Sequence, residues 1–282
     1  MNAQFSFSRR SFLSLIAAAP LGFATKTPGA EHIPIGLELY SVRGALQKDQ
    51  SATLRAVAKM GYECVEFFAP YYGWTPDEAK QVRRELDDLG IRCTSTHNGL
   101  ESFSPAGISK AMDLNHILGA GYIVLASPGD LSTIDGWKRV AETLNQADET
   151  MAGQGMHAGY HNHDAEWRPV EGQKPIEVIA ANTAKSIMLQ LDVGTCLEAG
   201  SNPVAWVESN PGRIRSMHLK DWSPEKGYAV LFGEGVAPWK KLLAAAENTG
   251  GIEFYLIEQE GSAYPELETA ERCLANYRNM RA

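Results

Sequence analysis

From residue 33 onward, short apolar runs alternate with amphipathic stretches, and the pair recurs eight times. The runs are Ile33–Leu39, Cys64–Phe68, Ile91–His97, Tyr122–Ala126, His157–His163, Ile187–Asp192, Ile214–Lys220 and Phe254–Glu260, each of strand length. Helix-like segments lie between or after them: Gln50–Met60, Pro76–Leu89, Ser104–Leu118, Ile134–Ala152, Pro203–Ser209, Pro238–Asn248 and Pro265–Met280. Pro76–Leu89 carries Asp77 and Glu78 early and Gly90 just beyond its end, as capping chemistry prefers. Regular strand–helix alternation predicts a parallel sheet with right-handed crossovers. Eight repeats predict closure into a single (β/α)8 TIM barrel. The rival is a doubly wound open sheet, which carries a Gly-rich phosphate loop after its first strand. Here the first strand runs into Glu38-Leu39-Tyr40-Ser41-Val42-Arg43 instead.

Ahead of the first run, Ser8-Arg9-Arg10-Ser11-Phe12-Leu13 is followed by an apolar, small-residue stretch to Ala24, broken by Pro20. That combination reads as a twin-arginine export signal and places the protein in the periplasm. The stretch is shorter than the roughly 20 residues that span a bilayer. The plain alternative is a short surface helix flanked by Arg9 and Arg10, which pattern and position disfavour. Residues 1–30 are therefore assigned to the signal and 31–282 to the barrel, with cleavage after Ala24 or after Ala30. Removing them takes away three of the 26 basic residues and none of the 34 acidic ones, moving the net charge from −8 to −11. Such a balance argues against nucleic acid and anionic membrane as partners, and pairing into a homodimer is compatible with it. Cys64, Cys93, Cys196 and Cys273 form no Cys-x-x-Cys pair. They read as unpaired structural thiols, three of them on strands or strand ends.

In a barrel of this kind, reactive side chains gather at the C-terminal ends of the strands. Glu66 ends the second run, His97 the third, His161 and His163 the fifth, Asp192 the sixth, His218 and Lys220 the seventh, Glu258 and Glu260 the eighth. At period two His161 shares a face with His163, His218 with Lys220, and Glu258 with Glu260. His161, Asp192, His218 and Glu258 thus offer two imidazoles and two carboxylates on four successive staves, a ligand set for one divalent cation. For any one of them a satisfied polar role at a strand end is the simpler reading; four at equivalent heights favour the metal.

Tyr160-His161-Asn162-His163-Asp164, Leu191-Asp192-Val193-Gly194-Thr195, His218-Leu219-Lys220-Asp221 and Ile257-Glu258-Gln259-Glu260 resemble, in order and spacing, motifs of the xylose-isomerase-like sugar isomerase and epimerase superfamily. The resemblance covers essentially all of the chain after the signal. It implies a metal held by a carboxylate on strand five, Asp192, His218 and Glu258. The chain departs from the pattern at the first of these, where His161 stands in place of the epimerases' glutamate. In those epimerases that glutamate and the one matched by Glu258 are the paired acid and base. The exchange lowers the ligand charge and moves preference from magnesium towards manganese, cobalt, iron or zinc.

The chemistry implied is removal of a proton beside the carbonyl of a sugar or keto-sugar, with Glu258 or His163 as base. Lys220 would stabilise an oxyanion or protonate a leaving oxygen. Reprotonation gives an isomerase or epimerase, and loss of a β-substituent gives a lyase, such as a 3-keto-glycoside lyase or dehydratase. The histidine at 161 tilts the balance towards elimination. Glu66, His97, Glu38 and Tyr40 are assigned to substrate hydroxyls, their plain alternative being an inner hydrogen-bonded layer. Trp74, Trp167 and Trp222 are assigned as walls for a sugar ring or covers of the barrel end, and Asp221 as an exterior partner or loop cap. An abasic-site endonuclease would need three metals and a basic groove, which the net charge opposes. A non-catalytic sugar-binding barrel would leave Asp192, His218, Glu258 and Lys220 without work. With no Gly-rich phosphate cradle, the expected substrate is an unphosphorylated sugar, glycoside or polyol derivative. N-terminal sequencing of the exported chain is expected to begin at residue 25 or 31; an intact Met1 on it would overturn the signal assignment.

Overall fold

Eight strands pair in chain order, all parallel, and close on themselves through the first and the last. They are β1 (Ile35–Glu38), β2 (Cys64–Phe67), β3 (Arg92–Gly99), β4 (Tyr122–Ser127), β5 (His157–His161), β6 (Met188–Asp192), β7 (Ser216–Leu219) and β8 (Phe254–Ile257). This is the expected (β/α)8 barrel, seen in a computed structural model that describes residues 32–282. The residues expected to form an export signal, with either expected cleavage site, lie outside the described residues. Ile33–Ala282 forms one unit. No helix among the described residues is long and apolar enough to cross a membrane.

The helices form where local chemistry starts and stops them. Pro76–Leu89 opens on a reciprocal capping box between Thr75 and Glu78 and ends at Gly90. Gln50–Met60, Ile134–Ala152 and Pro203–Ser209 keep the bounds read from the sequence. The third candidate, Ser104–Leu118, starts later, at Ile108, because Ser104 instead closes a turn onto Glu101. The seam near Pro238 becomes a helix over Trp239–Ala245 and a π-helical turn over Ala246–Gly250. Arg43–Lys48, Pro175–Asn182 and Val193–Glu198 are helices the periodicity does not disclose. The first and last are six residues long, and Pro175–Asn182 buries Ile176, Val178 and Ile179 within one short run.

Two layers of side chains fill the barrel. Alternation places Cys64 with Glu66, Met188 with Gln190 and Asp192, and Leu256 with Glu258 on the lumen face. Cys64, Tyr122, Val124, Met188, Phe254 and Leu256 make an apolar plug separate from the larger core between sheet and helices. A Cβ on Gly36 would stand 2.6 Å from Cys64 Sγ and 2.8 Å from Leu256 Cδ2, so β1 can enter this layer only with a glycine. The polar layer sits above the plug, at the C-terminal ends of the strands. All four cysteines are buried free thiols. Only Cys64 and Cys93 are on strands; Cys196 is on a helix because the strand β6 stops at Asp192 and turns at once into Val193–Glu198, and Cys273 lies on the C-terminal helix Glu266–Arg281.

Asp221 proves to be a loop cap. Fully buried just after β7, it accepts hydrogen bonds from the N–H groups of Trp222, Gly233, Gly235 and Ala237 and from Trp239 Nε1. One carboxylate thereby ties the loop 222–238 to the end of its strand, and a Cβ on Gly235 would fall 2.1 Å from Asp221 Oδ1. Asp221→Ala strands these buried donors together. The expected loss is about 3 kcal/mol, a fall in Tm of roughly 6–12 °C for a domain of this size, measured by thermal denaturation; an unchanged Tm would refute the anchoring role.

Candidate functional site

The barrel's closure brings β2, β3, β5, β6, β7 and β8 to a common point. His161, Asp192, His218 and Glu258, all buried, each place one ligand atom within 4.8 Å of the others'. Register explains this: Asp192 pairs with His218 and His161 with Gln190, while Glu258 stands two residues beyond Leu256, the partner of His218. His218 is pinned on both sides, its Nδ1 2.6 Å from Glu258 Oε2 and its Nε2 2.8 Å from Glu66 Oε1. His161 Nδ1 lies 3.1 Å from Gln190 Oε1, which leaves Nε2 as its ligand atom. Asp192 Oδ1 caps the turn at Thr195 N, and its buried Oδ2 accepts no hydrogen bond.

Charge is unevenly settled here. Burial, reinforced by His97 and His218, holds His161 well below the usual imidazole range, so it is neutral, the form a metal requires. Burial opposes charge on His218 as well, but Glu66 and Glu258 outweigh it and hold it well above that range. Against burial, His97 and His218 hold Glu66 far below the carboxylate range, and Lys220 and His218 do the same for Glu258. Burial raises Asp192, with Lys220 opposing. A buried carboxylate oxygen that accepts no hydrogen bond and meets only Lys220 Nζ at 3.5 Å, beside a neutral imidazole, is a condition a divalent cation relieves. The four residues fit one such ion provided it displaces the proton between His218 Nδ1 and Glu258, with Nε2 remaining on Glu66. Glu66 and Gln190 then serve as the outer hydrogen-bonding partners that orient imidazole ligands.

The remaining assigned residues divide by position. Glu66 is completely buried beneath the cluster, 3.1 Å from His97 Nε2, and belongs to the inner hydrogen-bonded layer. His97, Glu38, Tyr40, His163 and Glu258 line a cavity of about 310 Å³ at the barrel mouth. Burial pushes the Glu38 carboxyl up to about 8, which leaves it a hydrogen-bond donor at neutral pH. Lys220 is buried behind the carboxylates, 3.5 Å from Asp192 and 3.6 Å from Glu258, and paired with Glu260. It positions them and is absent from the cavity wall. The strands end at His161, Leu219 and Ile257, short of His163, Lys220 and Glu260. His163 is accordingly exposed at the rim, its ring 4.9 Å from that of His161. Trp222 is half-buried in the loop held by Asp221 and does not line the cavity. Trp167 is buried against Trp206 as a cover of the barrel end.

Gln190 escaped the sequence reading. Its Oε1 faces His97 and His161, and its Nε2 donates to Glu66 and Ser216. The available signal was its position two residues before Asp192, on the same face. Asn162 is a second such residue, donating to the Asp192 carbonyl and to Thr195 Oγ1.

Residues 54–277 match the family described as the xylose isomerase-like TIM barrel. The chain belongs to that family. An inosose dehydratase of Clostridium beijerinckii is 29% identical over 125 residues, covering 39% of this chain and 41% of that protein. The matched stretch thus spans well under half the length of the curated relatives. Among solved structures, a sugar phosphate isomerase/epimerase of Parabacteroides distasonis superposes with a TM-score of 0.74 at 26% identity, covering 87% of this chain and 94% of that one. The IolI protein with a bound zinc atom shares the fold at a TM-score of 0.65 and 15% identity, over 86% and 97% of the two chains. Calorimetric titration with Mn²⁺, Co²⁺ or Zn²⁺ is expected to give one site per chain, weakened at least tenfold in Asp192→Ala and roughly 10- to 100-fold in Gln190→Ala. Undiminished binding in Asp192→Ala would remove the site.

Proposed function

We propose that this family member is a metal-dependent enzyme that abstracts the proton beside the carbonyl of an unphosphorylated sugar or keto-sugar. Convergence of His161, Asp192, His218 and Glu258 on one point beside the mouth cavity carries the reading. A divalent ion bound there supplies a Lewis acid for the carbonyl and its neighbouring hydroxyl. Glu258 and His163 both face the cavity, so either can take the proton from carbon and pass it on. Lys220 holds Asp192 and Glu258 in place, and Glu66 and Gln190 fix the imidazoles. Glu38, largely protonated, donates to a sugar oxygen. The inner layer is buried, which strengthens each of these interactions.

After proton loss the carbon can be reprotonated, or the β C–O bond can break with the proton delivered to the departing oxygen. We favour elimination on two grounds. His161 stands where the superfamily's epimerases carry the second carboxylate of an acid–base pair, and the curated relatives are named dehydratases. The same imidazole favours manganese, cobalt, iron or zinc over magnesium. In this proposal Arg9 and Arg10 direct the chain to the periplasm, which fits an unphosphorylated substrate.

The test is incubation of the metal-loaded protein with 3-keto-glycosides and ketohexoses in D₂O. Nuclear magnetic resonance reads deuterium at the carbon beside the carbonyl and epimer formation, and ultraviolet absorbance reads the enone from elimination. Metal-dependent exchange is expected, with Glu258→Gln lowering turnover at least about 100-fold. No exchange with any metal, or full activity in Glu258→Gln, would sink the reading.

A further inference from the structure

A second and larger hollow shares a wall with the mouth cavity. Its volume is about 820 Å³, against about 310 Å³ for the first. The smaller value lies at the bottom of the roughly 300–1,000 Å³ range of small-molecule sites. Phe68 lines both. The larger hollow is also walled by Leu46, Phe67, Pro70, Tyr71 and Trp74, side chains that follow or end β1 and β2 at the same end of the barrel as the ligand cluster, with Arg43, Gln47, Gln50 and Glu266 at its margin.

Its walls are rigid and mainly aromatic. Trp74 meets Phe67 edge-on at 5.2 Å and Tyr71 at 6.1 Å. The Tyr71 hydroxyl donates to Asn98 and accepts from Thr96 and Asn115, so the ring cannot swing into the space. Phe68 is held edge-on by Tyr40 at 5.3 Å. The charged residues at the margin are already engaged. Glu266 accepts the N–H groups of Gly44 and Ala45, and Arg43 lies over the Tyr40 ring while donating to its carbonyl. What the hollow offers a ligand is therefore aromatic surface and little free charge. All four exposed large apolar side chains among the described residues, Tyr40, Leu100, Val236 and Tyr264, likewise belong to segments that follow strands on this face.

We infer that the hollow is a subsite for an aromatic or apolar substituent of the substrate: the enzyme takes a glycoside whose keto-sugar ring enters the smaller cavity while its aglycone stacks against Trp74 and Phe68. This rests on the keto-sugar reading above and adds the substrate class. The shared lining residue argues for the occupant, because the two hollows meet at Phe68, the side chain beside which a group attached to a sugar at the ligand cluster would leave the smaller one. Sugar recognition is then divided between a polar cavity, with Glu38, His97 and His163, and an apolar one that discriminates among substituents.

The experiment compares 4-nitrophenyl and methyl 3-keto-glucosides with the metal-loaded full chain. The aryl substrate is expected to have a kcat/KM at least tenfold higher, mostly through KM, as burial of one aromatic ring implies. Gln47→Trp, placed to fill the hollow from its exposed margin, is expected to bring the aryl-to-methyl ratio close to one. Equal kcat/KM in the parent protein, or an unchanged ratio in the variant, overturns the subsite. Should neither substrate react, the functional reading fails, and calorimetry with the unoxidised 4-nitrophenyl and methyl glucosides decides the subsite alone. Tighter aryl binding abolished by Gln47→Trp upholds it, and equal affinities overturn it. A parent dimer that dissociates in Gln47→Trp would assign the hollow to a second copy of the chain and overturn it too.

Discussion

A buried imidazole with a carboxylate on each nitrogen is the centre of this molecule. His218 reaches Glu258 on the neighbouring stave and Glu66 across the lumen, on β2. In an open sheet β2 and β7 would stand far apart; only closure lets their side chains share a proton. Removing these charges from water costs several kcal/mol each, and excellent geometry with further hydrogen bonds has to offset that. The structure supplies both through Gln190, His97 and Lys220, so that one residue after another is held by its neighbour across the barrel. Asp192 Oδ2 accepts no hydrogen bond and is met only by Lys220, 3.5 Å away. The site thus keeps one carboxylate oxygen without a hydrogen-bond donor at the place where the four candidate ligands meet.

The sequence disclosed what period-two alternation and strand order control. Asp192, His218, Glu258 and His161 were legible because each sits at the end of an apolar run, and equal heights on successive staves follow from parallel register. The same rule contained Gln190, two residues before Asp192, but an amide has no titratable signature to draw the eye. Beyond the last ladder bond the rule lapses. Lys220 turns inward to the carboxylates, whereas His163 remains at the rim, although each was paired by parity with a ligand. Trp167 and Trp222 could not be placed either, since loop paths depend on anchors such as Asp221, whose five donors are scattered from residue 222 to residue 239. The helix Pro175–Asn182 stayed hidden because its apolar run has too few polar interruptions to show a face.

The exchange of a carboxylate for His161 changes more than ligand charge. A glutamate there would add a fourth carboxylate to Asp192, Glu258 and Glu66 around one point. A neutral imidazole relieves that repulsion and adds two ring contacts, at 4.4 Å to His97 and 4.5 Å to His218. On the proposed reading it also leaves the base function to residues that face the cavity, Glu258 and His163. One face of a bound sugar would then meet a proton acceptor and the other an imidazole committed to the ion. That asymmetry suits a reaction in which proton removal and departure of the substituent are distinct events.

Rigidity and adaptability are separated along the strand axis. The ligand cluster stands on hydrogen-bonded strands above an apolar plug, where a shift of one residue would turn every side chain to the other face. The residues that would meet the rest of a substrate, Tyr40, Phe68, His163 and Trp74, lie past the strand ends on backbone fixed by local caps and aromatic contacts. Changes in these segments alter the shape of both cavities without touching the charge balance that holds His218. On the proposed reading the same barrel keeps one proton-abstracting centre while its loops select among sugars, so that the ligand cluster would bear on reaction type and the aromatic hollow on substrate identity.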